Sequence, residues 1–101
     1  MTQKYILRKE VDISMTLKKI NLEVNDLLSY LREHKFSINA NNIEDIVKDV
    51  ILDIDTLARY EAITKTQFLY LIKRMFVTLR ELKLENTSIY YELSVTYAIN
   101  K

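Results

Sequence analysis

The side chains that could do acid–base or metal chemistry are few in this chain and poorly spaced for it. His34 is the only histidine and cysteine is absent, so a metal site would have to combine His34 with carboxylates such as Glu33. Adjacent residues on a helix point in different directions, which works against that pairing. Asp45, Asp49 and Asp53 recur every four residues. That spacing sets neighbouring carboxylates on one helix face, where two of them could share a cation, but it is equally the spacing of an ordinary solvated face. The solvated face is the reading adopted. Without glycine no glycine-rich loop can cradle a phosphate, and no nucleophile stands beside a base at a recognisable spacing. The chain is therefore expected to be a non-enzyme with no metal and no cofactor.

Contact chemistry is better represented. Tyr70, Lys73, Arg74, Phe76 and Arg80 interleave bases with aromatics, a combination compatible with nucleic acid or with a core face backed by cations that answer an acidic neighbour. A recognition helix would present Arg or Asn at its amino-terminal end, and here that end is Lys65-Thr66-Gln67. The formal net charge of +1 also lacks the basic footprint of most nucleic-acid binders. The carboxy-terminal segment is different: Ile89, Tyr90, Tyr91, Leu93, Tyr97 and Ile99 crowd more aromatic and aliphatic surface onto it than one flank of a small bundle easily buries. Tyrosine is favoured at interfaces, so these six residues are the candidate partner-binding set. A terminal helix that merely closes the core is the competing reading.

The element that must support such a surface is written most plainly over Ile63 to Leu84. Thr64 followed by Gln67 is a capping box, and Ile63 with Phe68 can close over it as a hydrophobic staple. Phe68, Ile72, Met75, Leu79 and Leu82 then recur at steps of four and three, widened by Leu71 and Phe76, the period of one buried helix face. Everything else is expected to pack on that stripe. Upstream, Ile13, Leu17, Ile20, Val24, Leu27 and Leu31 form the seam of a long first helix ending near His34. A break at residues 35–42 follows, where Asn41 with Glu44 three residues on makes a second candidate cap. The next helix, about Asn42 to Tyr60, carries Ile43, Val47, Val50, Ile54 and Leu57, with Ile46, Ile51 and Ala58 alongside. Its short connection to Thr64 predicts antiparallel neighbours. Residues 43–64 hold six carboxylates against Lys48 and Arg59, while residues 65–84 hold five cations against Glu81, so the two helices are expected to face each other with complementary charge. After Leu84 the run Glu85-Asn86-Thr87-Ser88 offers caps for a terminal segment, Ile89 to Ile99, which reads as a short helix although its alternation also suits a strand. Residues 1–12 alternate like a strand and also share a heptad position with the first seam; a frayed or short helix is the reading adopted.

Composition bounds the class. A chain of 101 residues makes a single core, so residues 1–101 form one domain without repeats or linkers. Glycine and proline are both absent, which disfavours the tight turns of a sheet-rich fold and leaves left-handed helix caps to Asn or Asp. The fold class is all-α: a small antiparallel helical bundle of four helices, up-down in type, with a short last helix. Without cysteine no disulfide ties it to an oxidising compartment. Tyr5-Ile6-Leu7 is too short for a secretory segment, and the longest apolar run, Phe68 to Ile72, falls far short of the roughly 20 residues of a membrane span. A cytoplasmic location is expected, and filled seams in so small a bundle are expected to leave no concave pocket.

The run from Leu31 to Leu79, about half the chain, resembles the middle of the enterocin A type immunity proteins against class IIa bacteriocins. The likeness lies in Leu31, Lys35, Phe36 and Ile38, then Ile43 with Ile46-Val47, then Thr64 and Gln67 opening a helix that carries Ile72 and Leu79. Before this run the family has two helices where this chain has one long seam. The resemblance implies a non-catalytic cytoplasmic helical bundle in a Gram-positive cell, giving antimicrobial resistance by protein–protein interaction at the cytosolic side of the membrane, with peripheral membrane contact. The implied partner is the complex of bacteriocin and sugar phosphotransferase permease, and the region implied to set the spectrum maps to Asn86 to Lys101. Read without the resemblance, the chain suits a small phage- or plasmid-encoded helical adaptor or regulator that binds protein or nucleic acid.

Overall fold

The seams predicted from spacing become helices packed around one core. The computed structural model describes residues 13–101, and the expectation of a short element over residues 1–12 lies outside them. Four α-helices follow in order: α1 (Ile13–Glu33), α2 (Ile43–Arg59), α3 (Lys65–Glu81) and α4 (Ser88–Asn100), with a 3-10 turn at Lys35–Ser37 between the first two. The terminal segment is thus helix and not strand. α1 is continuous, as its seam requires.

α3 packs against all three other helices, the role its stripe predicts. Its Leu71, Ile72, Met75, Phe76 and Leu79 join Ile20, Val24, Leu28 and Leu31 of α1, Ile43, Val47 and Ile54 of α2, and Ile89 and Leu93 of α4 in one buried cluster. Each such side chain contributes on the order of 1.5–3 kcal/mol by leaving water. Arg32 near the end of α1 reaches Thr78 and Glu81 near the end of α3, while Arg74 donates to Asn25, so α1 and α3 run parallel. α2 is antiparallel to both.

The Thr64 box forms as read: the Gln67 amide donates to the Thr64 hydroxyl at 3.1 Å and the Gln67 side chain accepts from the Thr64 amide at 2.7 Å. Ile63 is buried and Phe68 packs on the same cluster. The predicted Asn41 cap does not form. Instead Asn39 and Asn42 cap reciprocally: the Asn39 side chain accepts from the Asn41 and Asn42 amides at 2.8 and 3.2 Å, and the Asn42 side chain accepts from the Asn39 amide at 2.9 Å. The chain therefore commits to its turn earlier than Asn41, and Glu44 falls within the first turn of α2, where its charge favours the helix N-terminus.

The helix exits correct a second expectation. α2 ends with Glu61 at φ 58° and α3 with Lys83 at φ 65°, so the left-handed positions fall to neither Asn nor Asp. Each makes the paired bonds of a Schellman turn: the Glu61 and Ala62 amides donate to the Ala58 and Leu57 carbonyls, and the Lys83 and Leu84 amides to the Arg80 and Leu79 carbonyls. Burial of Leu84 against Leu79 supplies the apolar contact that such a turn needs. That contact holds a lysine where glycine would be easier.

Complementary charge does not join α2 to α3. The ion pairs among the described residues are Arg32 with Glu81, Lys48 with Asp45 and Arg59 with Asp55, none of them between those two helices. Their facing sides are the apolar stripes, and the charges point outward.

Candidate functional site

α4 is where the sequence places the partner-binding set. It opens on Thr87, whose hydroxyl accepts from the Tyr90 amide at 3.3 Å and donates to the Leu84 carbonyl at 2.7 Å. Within Ser88–Asn100 the only charged residue is Glu92, and apolar side chains lie on every side of the helix. A helix apolar all round is normally enclosed; this one has a partner, α3, along one side.

The structure divides the six predicted residues. Ile89 and Leu93 are 5% and 3% exposed and belong to the core. Tyr90 and Tyr97 are half-buried, both edge-to-face on Phe76 with ring centroids at 6.0 and 5.5 Å. The Tyr90 hydroxyl accepts from Arg80 at 2.7 and 3.1 Å, and the Lys101 ammonium lies 5.7 Å from the Tyr97 ring centre. Four of the six thus close the bundle, Tyr90 and Tyr97 both through Phe76, and the aromatic surface left over is smaller than the sequence suggests. Tyr91 and Ile99 remain, 69% and 77% exposed. With half-buried Val95 between them, they form a ridge at steps of four along the outer side of α4.

Beside this ridge runs a groove, contrary to the expectation of filled seams. Its walls are α2 (Ile51, Leu52, Asp55) and α4 (Tyr91, Glu92, Val95), its floor is Phe68 and Ile72 of α3, and it encloses about 470 Å³. Asp55, Phe68 and Thr96 also line an adjoining cleft of about 700 Å³ toward the start of α3, bordered by Arg59, Glu61 and Lys65. The groove exists because α2 and α4 both lie on α3 without closing on each other. Leu52, 59% exposed, is the wall residue that the sequence reading missed. Its signal was an aliphatic residue off the Val47–Val50–Ile54 seam.

The groups weighed for chemistry are engaged or scattered. His Nδ1 of His34 lies 3.0 Å from the Tyr30 carbonyl and its ring stacks on Tyr30 at 4.2 Å. Asp45 pairs with Lys48, and among the described residues no three His, Cys, Asp or Glu side chains gather as metal ligands. Of the bases once matched to nucleic acid, Arg74 donates to Asn25 and lies over the Tyr70 ring, and Arg80 holds Tyr90. Between α1 and α2 a smaller cleft is lined by Lys19, Glu23 and Asp53. Burial, then a hydrogen bond that the protonated Glu23 donates to Asp53 and repulsion by Asp53, raise the Glu23 carboxyl above its ordinary range against the pull of Lys19. Phe36, on the turn after α1, is 94% exposed with the Lys35 ammonium 5.2 Å from its ring centre. Among the described residues no helix is long and apolar enough to cross a membrane. No family model, curated protein or solved structure matches the chain.

Proposed function

We propose that this protein is a non-catalytic binding protein of the bacteriocin-immunity kind, acting in the cytoplasm through the outer side of α4 on the complex of a class IIa bacteriocin with its permease receptor. The observation that carries the binding reading is the ridge of Tyr91, Val95 and Ile99 on a helix with a single charge. Exposed apolar surface of this kind costs solubility unless a partner covers it. The choice of bacteriocin immunity within that class rests on the pattern from Leu31 to Leu79.

The physical division of labour fits such a role. The Thr64 box and the shared core fix α3, the Asn39–Asn42 box fixes the entry to α2, α3 fixes α4 through Phe76, and the ridge is thereby presented on a rigid support with little ordering cost on binding. The test is expression of the full chain in a sensitive strain. Resistance to one or a few class IIa bacteriocins, with the protein retained inside the cell, is the expected result. Protection against none of a broad panel would overturn the immunity reading and leave a helical adaptor.

A further inference from the structure

The ridge is one wall of something more specific than an apolar patch. The groove between α2 and α4 has parallel walls over a floor of Phe68 and Ile72. It spans Ile51 to Asp55 on α2 and continues through Ala58 and Arg59 in the adjoining cleft. At a rise of 1.5 Å per residue that is roughly 12 Å of wall, or two turns of an additional helix laid alongside. Its exposed aliphatic and aromatic lips, Leu52 and Tyr91, stand on opposite sides.

Charge selects the occupant. The charged side chains on the apolar part of the groove are Asp55 and Glu92, one on each wall; the adjoining cleft adds Arg59 and Lys65 against Glu61, so the whole lining carries three carboxylates and two cations. Asp55 already has Arg59 as a partner, so Glu92 is the stronger selector. A second copy of this chain would bring its own α4 ridge, whose only charge is another Glu92, and would set carboxylate against carboxylate. An acidic helix would meet the same repulsion. Like charges brought together at an interface are disfavoured, and opposite ones fix the register.

We infer that the groove between α2 and α4 is the docking site for a basic amphipathic helix of a partner protein, its apolar stripe on Phe68, Ile72 and Leu52 and a Lys or Arg beside Glu92. This rests on the binding reading above and adds the chemistry of the partner. It uses the helix-in-groove mode, in which apolar anchors at steps of three and four supply affinity and flanking charge supplies specificity.

The experiment titrates the full chain into two dye-labelled model helices with the same leucine stripe, one flanked by lysines and one by glutamates, read by fluorescence anisotropy. Binding of the lysine peptide at least about tenfold tighter than the glutamate peptide is expected, with the margin shrinking as salt rises. Leu52→Asp should weaken the lysine peptide by about tenfold or more. Glu92→Lys should reverse the preference between the two. Leu52 and Glu92 are both exposed, and circular dichroism on each variant keeps loss of binding separate from loss of fold. Equal binding of both peptides, binding indifferent to Leu52→Asp, or no binding at all would overturn the proposal. So would a dimer in sedimentation that Leu52→Asp dissociates, since a second copy would then be the occupant. The immunity reading fails separately: a Leu52→Asp chain that loses the peptide but still protects a sensitive strain sinks the groove alone, and a chain that binds the peptide yet protects against nothing sinks immunity alone.

Discussion

Replacing Lys83 with glycine should stabilise this protein, although the substitution removes a side chain from a helix exit and adds the residue with the most backbone freedom. Lys83 sits at φ 65°, in the left-handed region, where a Cβ costs roughly 1–2 kcal/mol. Glycine avoids that cost but loses about 0.5–1 kcal/mol more conformational entropy on folding. The net expectation is a gain of about 0.5–1 kcal/mol. Lys83 is exposed, so no buried contact offsets the gain. For a domain of this size the gain corresponds to a rise in Tm of very roughly 2–8 °C. Urea unfolding monitored at 222 nm, with the slope checked for constancy, measures it. The control is Lys73→Gly on the exposed side of α3, where the backbone is helical and glycine should cost about 1 kcal/mol. If Lys83→Gly destabilises as much as Lys73→Gly, the left-handed exit of α3 is refuted, along with the account of how a chain without glycine ends its helices.

The remaining predictions concern the caps and one carboxyl. Thr64→Ala should lower the urea midpoint by the equivalent of about 1 kcal/mol, and Ile63→Ala should lower it further; a midpoint unmoved by either change would mean α3 is not held by its box and staple. Asn42→Ala should cost about 1 kcal/mol while Asn41→Ala stays within about 0.5 kcal/mol, and the reverse order would restore Asn41 as the cap. Because the Glu23 carboxyl is raised by burial and by Asp53, the folded state holds its proton more tightly than the unfolded chain. Its stabilising contribution is therefore complete below the ordinary carboxyl range and is lost as pH rises through the raised value. Glu23→Gln should accordingly gain on the parent chain as pH rises through and above the ordinary carboxyl range, and parallel midpoints for the two chains across that rise would refute the raised carboxyl.

How far the fold was legible depended on whether a residue acts through a repeating pattern or through a partner distant in sequence. The α1 seam was legible because Ile20, Val24, Leu27 and Leu31 recur at a helical period that no strand shares. The Thr64 cap was legible because a hydroxyl and a glutamine at that spacing have few other uses. Asn39 and Asn42 were not, since asparagine serves turns, caps and surfaces alike and only the hydrogen bonds distinguish them. The helix exits hid for a related reason: nothing in the local sequence makes Glu61 or Lys83 left-handed, and the buried Leu84 that enforces one of them looks like any other core leucine. Charge misled over α2 and α3, because totals along a segment carry no direction and the charged groups there sit off the packed faces. In the candidate site the same limit applies to α4. With apolar residues on every side it has no stripe to read, so Tyr90 and Tyr97 could be separated from Tyr91 only once Phe76 was seen between them. The groove required two helices to fail to meet, which no single segment records.

Ending the chain after Leu84 would strip Ile89, Leu93, Tyr90 and Tyr97 from the core, so loss of activity in such a truncation would follow from unfolding as readily as from loss of a surface. The direct measurement is resistance conferred on a sensitive strain by the full chain and by Tyr91→Ser/Ile99→Ser, two changes at side chains that are 69% and 77% exposed. The account predicts that the parent chain protects, that the double variant keeps the parent's helical content and urea midpoint, and that it no longer protects. A double variant that protects as well as the parent would contradict the claim that the outer side of α4 carries the function.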